Sequence, residues 1–121
     1  MQRILLVDDE EQILQLLEMF LEMNGYKPAL AFSSQDALKQ VSGSAFDLAI
    51  LDVCLEDGNG FDLARKIKAE HPKLPIVFLT GLSAESDRAT GLSIGNAYLV
   101  KPFQPDVLLN VIQQQISGSP A

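Results

Sequence analysis

Short runs of apolar residues recur along the chain, and segments with helical periodicity separate them. The runs occupy positions 4–7, 28–32, 48–51, 76–79 and 97–100. They are apolar at successive positions, which is typical of parallel strands that helices cover on both faces. Right-handed crossovers between such strands make an open sheet with helices on both sides the natural arrangement. The pattern therefore predicts an α/β fold: a doubly wound, five-stranded parallel sheet in a three-layer sandwich.

The segments between the runs differ in helical character. The first carries an apolar stripe and ends at Asn24-Gly25, where glycine supplies the left-handed residue that commonly closes a helix. The segment at 84–94 contains Thr90, Gly91 and Ser93, which form helices less readily, so it predicts a weak fourth helix. The stripe of the first helix, expected to face inward, consists of Ile13, Leu16, Leu17, Phe20 and Leu21.

Polar residues follow four of the five apolar runs. They are Asp8 and Asp9, Asp52, Thr80, and Lys101. The carboxyl ends of parallel strands lie along one edge of a sheet, where ligands bind, so these side chains are expected to converge. Carboxylates at such short distances repel one another, and this raises the pKa of at least one of them unless a cation is present. Three carboxylates, a hydroxyl and an ammonium suit a hard divalent cation and a phosphoryl group.

Each of these residues also has a structural interpretation when it is taken alone. Asp8 and Asp9, with Glu10 and Glu11 behind them, can serve as negative charge at the N-terminus of the first helix. Thr80 can be a β-branched residue at a strand end. The functional interpretation depends on the conjunction, because the structural interpretations do not require the residues to meet.

Composition narrows the class of protein. At 121 residues the chain is expected to be one domain. Its net charge of −7 predicts no direct binding of nucleic acid by this chain. No apolar run approaches the roughly 20 residues of a membrane helix, and Asp8 interrupts the N-terminal run too early for a signal peptide. The single Cys54 cannot form an internal disulfide, which favours the cytoplasm, and its side chain is expected to be a small buried hydrophobe.

The sequence resembles the receiver domains of two-component response regulators. The resemblance extends from Ile4-Leu5-Leu6-Val7-Asp8-Asp9 through Asp52 and Leu79-Thr80-Gly81 to Tyr98-Leu99-Val100-Lys101-Pro102-Phe103. It implies the (βα)5 flavodoxin-like fold, with residues 1–116 as the receiver domain. Residues 117–121 are then a tail or the start of a linker, as their small and polar composition also indicates.

The resemblance also implies roles for the residues at the strand ends. Asp52 would accept a phosphoryl group from a sensor histidine kinase or a phosphotransfer protein, forming an aspartyl phosphate. Asp8 and Asp9 would hold Mg²⁺, with Asp9 as a direct ligand and Asp8 acting through water. The carbonyl group of Cys54 would complete the protein ligands of the metal.

The remaining implied roles concern the response to phosphorylation. Thr80 would hydrogen-bond the phosphoryl group, Lys101 would pair with it, and Tyr98 would change its rotamer. The altered surface would consist of the fourth helix, the fifth strand of the sheet and the last helix. The chain would then be a signalling switch that acts on a C-terminal output domain or a downstream protein, and it would catalyse only its own phosphorylation and dephosphorylation.

The sequence departs from the family pattern at several positions. Glu56 stands where a proline is common, and the segment Gly95–Tyr98 is one residue shorter than usual. The last helix, at positions 106–116, has no Lys or Arg, which disfavours the receiver dimer of the winged-helix regulators. Cys54 and Leu82 occupy the two positions that influence the hydrolytic water in related receivers. Neither is a good partner for water, so a long-lived phosphorylated state is expected.

Two other functions use the same residues. A small Mg²⁺-dependent phosphohydrolase would use Asp52 as its nucleophile, but the haloacid-dehalogenase phosphatases carry an acid at the position of Cys54 and a cap domain that this chain lacks. A receiver-like interaction module that is never phosphorylated is the other alternative. The presence of all five site residues gives it no support.

Overall fold

The structure is a computed structural model that describes residues 2–117. Helices and strands alternate along these residues, as the apolar runs predict. In chain order the elements are β1 (Arg3–Val7), α1 (Glu11–Met23), β2 (Lys27–Ala31), α2 (Ser34–Gly43), β3 (Leu48–Leu51), β4 (Cys54–Leu55), β5 (Gly58–Asn59), α3 (Gly60–Glu70), β6 (Ile76–Thr80), α4 (Glu85–Ile94), β7 (Ala97–Val100) and α5 (Pro105–Ser117).

Five strands form one parallel sheet in the order β2–β1–β3–β6–β7. Every residue of β3 and β6 is buried, because these strands have helices on both faces. One core contains Leu14 of α1 and Leu108 of α5, and the other contains Val41 of α2 and Leu63 of α3. The predicted three-layer, doubly wound α/β fold is therefore confirmed.

The structure corrects the predicted inward stripe of α1. Its buried residues are Leu14, Leu17 and Leu21, whereas Leu16 is 55% exposed. Successive residues of a helix are about 100° apart, which carries Leu16 too far around the helix from Leu14 to reach the sheet. The predicted end of α1 is confirmed, since Gly25 has a φ of 86°.

Two further differences concern strands. The second strand begins and ends one residue earlier than the run at 28–32 suggests, at Lys27–Ala31. The sequence also gave no indication of the antiparallel pair β4–β5, which turns back at Glu56-Asp57 between β3 and α3. This pair, called the β4–β5 hairpin below, begins two residues after Asp52.

Helix α5 is the last element of the described residues. Helix α5 extends through Ser117, and positions 118–121 of the expected tail lie outside the described residues. The division at residue 116 stays a prediction. Within residues 2–117, no helix combines the length and the apolar character that crossing a bilayer requires.

Candidate functional site

Residues from four strands meet at the carboxyl edge of the sheet. Asp8 follows β1, Asp52 follows β3, Thr80 ends β6 and Lys101 follows β7. Backbone hydrogen bonds fix this edge: the Asp52 amide donates to the Val7 carbonyl at 2.9 Å, and the Lys101 amide donates to the Thr80 carbonyl at 2.8 Å. Asp8, Asp52 and Thr80 are all buried. Asp8, Asp52 and Lys101 therefore meet as the strand ends predict, with Thr80 at the end of the neighbouring strand, whereas the predicted roles of these residues and the place of Asp9 stay predictions.

The Lys101 ammonium group lies among three carboxylates. Its Nζ is 2.8 Å from Oδ2 of Asp8, 2.9 Å from Oε1 of Glu10 and 2.9 Å from Oδ2 of Asp52. The Lys101 side chain is only 13% exposed, and the peptide bond between it and Pro102 is cis. One positive charge faces three negative ones, so the site retains a negative charge that favours a further cation.

The pKa values of the site reflect burial and this charge balance. Burial alone would lower the pKa of Lys101, but its hydrogen bonds to Asp8, Glu10 and Asp52 raise it above the ordinary value. Burial raises the pKa of Asp8, and this outweighs the opposing hydrogen bonds from Lys101 and the Glu10 amide; the charge of Asp52 raises it further. The higher pKa favours the charged form of Lys101 but the neutral form of Asp8. Losing water costs the nearly buried Asp8 carboxylate more free energy than it gains from an ammonium group that two other carboxylates share.

The carboxylate oxygens fit a divalent metal ion. Oxygens of Asp8, Glu10 and Asp52 all lie within 4.8 Å of one another. Carboxylate oxygens are ligands that Mg²⁺ prefers in proteins. Glu10 takes part in this group in addition to the two predicted aspartates, whereas the predicted direct ligand Asp9 is half-buried beside it. The role of Asp9 as a ligand stays a prediction.

Glu10 is the site residue that sequence reasoning missed. It was interpreted as negative charge for the first helix. The backbone of Glu10 is extended, with φ −91° and ψ 104°, and in an extended segment residues two apart point to the same side. Glu10 therefore follows Asp8 into the site, and its amide donates to Oδ1 of Asp8 at 2.9 Å. The two-residue spacing of Asp8 and Glu10 was the signal that could have revealed it.

The prediction that the Cys54 side chain is buried is wrong. Cys54 is exposed, whereas the next residue, Leu55, is only 8% exposed. Successive side chains of a strand point to opposite faces, and in the β4–β5 hairpin Leu55 is the one that faces the core. The Cys54 backbone does lie at the site, because its amide donates to Oδ1 of Asp52 at 3.2 Å.

Thr80 and Tyr98 are linked through the loop after β6. The Leu82 amide donates to Oγ1 of Thr80 at 3.4 Å, and the Tyr98 hydroxyl donates to the Leu82 carbonyl at 2.7 Å. Tyr98 is buried, and its ring lies 6.1 Å from the ring of Phe78 and against Gly91 of α4. Tyr98 therefore occupies an inward position, and a single residue, Leu82, connects it to the Thr80 hydroxyl through its amide and its carbonyl group.

The fold and the site together define a class of protein. A doubly wound sheet carries, at its carboxyl edge, an acidic cluster with one half-buried lysine and a neighbouring hydroxyl. This arrangement is that of a phosphoryl-accepting signalling domain, because the acids can hold a hard cation and the lysine can pair with a transferred phosphoryl group.

Comparison with known proteins identifies the family. The family model of the response regulator receiver domain matches residues 4–113. The chain belongs to this family, whose members act in two-component systems as phosphorylation-dependent signalling switches. The expected membership is confirmed.

Individual relatives agree with this assignment. The chain is 38% identical to the regulatory protein VanR of Enterococcus faecium over 94% of this chain and 49% of that protein. It is 34% identical to the non-phosphorylated HemR receiver domain of Leptospira biflexa, with a TM-score of 0.91 and coverage of 100% and 98%. It is 31% identical to the response regulator TrrA of Thermotoga maritima in complex with Mg²⁺-BeF, with a TM-score of 0.88 and coverage of 95% and 99%. The chain spans about half the length of the curated relatives it matches.

Proposed function

We propose that Asp52 is the phosphorylated residue of this receiver domain. Asp52 follows β3, the central strand of the sheet, so an acid from β1 lies on one side of it and Thr80 and Lys101 from β6 and β7 lie on the other. One of its carboxylate oxygens accepts from Lys101 and the other accepts from the Cys54 amide. This central position is the observation that supports the proposal most directly.

The transfer requires little from the protein beyond positioning and charge. An oxygen of the Asp52 carboxylate forms a bond to phosphorus as the donor's P–N bond breaks, and the electron pair of that bond stays on the departing imidazole of a phosphohistidine. Lys101 is protonated at neutral pH, and its three carboxylate partners raise its pKa further, so its ammonium group would pair with the incoming phosphoryl oxygens. The product is an aspartyl phosphate, and the Thr80 hydroxyl can donate a hydrogen bond to one of its phosphoryl oxygens.

Mg²⁺ is the cofactor that the site suits. Asp8, Asp52, the carbonyl group of Cys54 and Asp9 would hold it, with Glu10 adjacent. When bound, Mg²⁺ supplies positive charge that offsets the carboxylates and the transferred phosphoryl group. A cation would favour the charged form of Asp8, whose pKa is raised chiefly by burial and further by the charge of Asp52.

The partners and setting follow from the proposed transfer. A sensor histidine kinase or a phosphotransfer protein would donate the phosphoryl group, and these donors act in the cytoplasm. The relatives named as transcriptional regulators are about twice as long as this chain, which supports an output domain or a downstream protein as the receiver of the signal. The chain would act as a switch rather than as a phosphohydrolase, because position 54 carries a thiol instead of the carboxyl group that would protonate a leaving group.

The experiment uses a small acyl-phosphate donor, Mg²⁺ and intact-mass measurement. The chain should gain one phosphoryl group with Mg²⁺ and none with a chelator, and Asp52→Asn should abolish the gain. Asp62→Asn is the matched control, because Asp62 is an exposed acid on α3 that pairs with Arg65 at 2.8 Å. Equal labelling of the Asp52→Asn variant would overturn the assignment. Repeated turnover of the donor, without accumulation of the phosphoprotein, would favour the phosphohydrolase.

A further inference from the structure

Asp57, at the tip of the β4–β5 hairpin, connects the loop after Asp52 to a distant helix. Its Oδ1 accepts from the Ser34 amide at 2.9 Å and its Oδ2 accepts from the Gln35 amide at 3.1 Å. These are amides of the first turn of α2, which has no intrahelical partner for them. The carboxylate therefore binds the N-terminus of a helix 22 and 23 residues earlier in the chain.

The contact adds to the ordinary cap of α2. Ser33 already caps this helix, because its Oγ accepts from the Asp36 amide at 3.1 Å. Asp57 satisfies two other amides, and its negative charge lies at the positive end of the helix dipole. The two hydrogen bonds hold the pKa of Asp57 below its ordinary value. The helix would thus be capped without Asp57, and what Asp57 adds is a fixed position for the hairpin tip.

The base of the hairpin is held equally closely. The Cys54 amide donates to Oδ1 of Asp52, and the Gly60 amide donates to the Val53 carbonyl at 2.7 Å. A Cβ on Gly60 would collide with the Asp52 carbonyl oxygen and lie 2.7 Å from Cα of Val53, so the two segments touch through backbone atoms. The hairpin therefore lacks room to move at its base, and Asp57 restrains its tip.

Both restraints act on the hairpin that carries Cys54. Cys54 begins the hairpin, and Leu55 pairs with Gly58 across the turn that carries Asp57. Glu56, which replaces the proline common at this position, leaves the φ angle of the turn unrestrained by a ring. In place of such a ring, the hydrogen bonds of Asp57 to α2 restrain the turn.

We propose that Asp57 is a positioning residue for Mg²⁺ binding, acting through the hairpin to orient the Cys54 carbonyl toward the site. This inference rests on the proposed function, since the Cys54 carbonyl matters only if the site holds a metal. Asp57 itself is exposed and binds α2, so its effect on the metal is indirect. Residues behind the direct ligands of a metal typically contribute about 10–100-fold to affinity.

The test compares Asp57→Ala, Asp57→Asn and Asp62→Ala in the 121-residue chain. Mg²⁺ affinity is measured by calorimetry, and the rate of labelling by a small acyl-phosphate donor is measured across Mg²⁺ concentrations. Asp57→Ala should weaken Mg²⁺ binding by about tenfold and shift the half-saturating Mg²⁺ concentration equally, without changing the rate at saturation. Asp57→Asn, which keeps one acceptor oxygen, should fall between Asp57→Ala and the parent. Asp62→Ala removes the same charge from an exposed acid that pairs with Arg65 of its own helix, and it should match the parent.

Amide exchange decides whether the effect passes through the hairpin. In Asp57→Ala the Ser34 and Gln35 amides and the hairpin should exchange faster while the thermal unfolding transition is retained. Loss of protection at Ser34 and Gln35 with unchanged Mg²⁺ affinity would overturn the inference and leave Asp57 as a cap only. A parent chain that fails to bind Mg²⁺ or to become labelled would instead contradict the proposed function, so the two failures are distinguishable.

Discussion

Helices α3 and α4 have nearly the same length and cover the same face of the sheet, yet they are held very differently. Of the 11 residues of α3, five are buried, including Phe61, Leu63 and Ile67. Of the ten residues of α4, only Gly91 is buried. The side chain of Asn59 caps α3 by accepting from the Phe61 amide, whereas the residue before α4 is Ala84, which provides no side-chain cap.

This difference separates two segments of the molecule. The loop after Asp52 together with α3, residues 53–70, is called the firm half below, and the loop after Thr80 together with α4, residues 81–94, is called the loose half. The loop after Asp52 leads into α3, and the loop after Thr80 leads into α4. Asp52 is therefore attached to the firm half, where a fixed geometry would favour the proposed transfer. The Thr80–Leu82–Tyr98 connection reaches the loose half, where we expect alternative arrangements to differ little in free energy because α4 buries only Gly91.

The largest expected effect comes from adding a methyl group to the firm half. Gly60→Ala places its Cβ against backbone atoms of Asp52 and Val53, which cannot rotate away, so we expect the free energy of unfolding to fall by about 3 kcal/mol. Urea denaturation measures the loss. Gly43→Ala, at the end of α2, adds the same group where nothing lies within 4 Å and should change little. Equal stability of the two variants would show that the segment around Gly60 adapts, and the contrast with α4 would fail.

The next effect is a difference in local opening between the two helices. Since α4 lacks the buried side chains of α3, its amides should open at a free energy lower by about 2 kcal/mol, which is the contribution of one well-buried apolar side chain. Native-state amide exchange of a single sample compares the two helices directly. Equal protection of both would contradict the division, and a gap that widens on phosphorylation would place the response in α4.

A smaller effect is expected from the same substitution in the loose half. The Cβ of Gly91→Ala would collide with the ring of Tyr98, and a side chain can rotate where a backbone cannot. The gain in helix propensity of about 0.5–1 kcal/mol offsets part of the lost packing, so the net loss of stability should be about 1 kcal/mol or less. Tyr98 should leave its inward position and lose its hydrogen bond to the Leu82 carbonyl.

The titration of Tyr98 detects that movement. Burial, together with the nearby charge of Asp87, raises the pKa of Tyr98 in the inward position, so the pKa should fall toward the ordinary value of a tyrosine in Gly91→Ala. The chain has two tyrosines, and a Tyr26→Phe background leaves Tyr98 as the one observed by absorbance. Gly81→Ala, which meets nothing within 4 Å, is the control. An unchanged Tyr98 titration would mean that α4 moves away instead of the ring.

The sequence predicted the elements and the convergence of the site for one physical reason. Fully buried parallel strands produce unbroken apolar runs, and their carboxyl ends must share an edge, so Asp8, Asp52, Thr80 and Lys101 could be placed together without any knowledge of side-chain contacts. The weakness of α4 was also predictable, because helix propensity is a local property.

The features that sequence missed depend on contacts between distant or irregular segments. The two hydrogen bonds of Asp57 to α2 join residues 22 and 23 positions apart, and no periodicity marks them. The β4–β5 hairpin has two residues in each strand, which is too short for an alternating pattern. The exposure of Cys54 follows from that hairpin, so it was mispredicted together with it.

The smallest expected effect comes from substituting two side chains near the proposed phosphoryl group, one from each half. Cys54 enters from the firm half and Leu82 from the loose half, and both are poor partners for a hydrolytic water. An ordinary thiol is already protonated at neutral pH, and burial with the nearby charge of Asp52 raises the pKa of Cys54 further, so it is a poor base. Cys54→Asn and Leu82→Glu should each speed the decay of the phosphoprotein by about threefold, under about 1 kcal/mol of activation free energy. The small size is expected because Lys101 and the metal would remain in both variants.

The decay of the phosphoprotein is followed by intact-mass measurement after the donor is removed. The same measurement distinguishes the effect of the firm half from that of the loose half. Cys54 lies on the restrained hairpin, so an asparagine there should keep one orientation and its effect should be insensitive to changes in α4. Leu82 is half-buried in the loop whose amide and carbonyl contact Thr80 and Tyr98, so the effect of Leu82→Glu should change when Gly91→Ala is added. Coupling is the part of the double-variant effect that the two single variants do not explain. Coupling of Gly91→Ala to Leu82→Glu but not to Cys54→Asn would support the division between the halves. A parent that decays as fast as both variants would end the argument from water alignment, and equal coupling at both positions would show that the two halves respond as one.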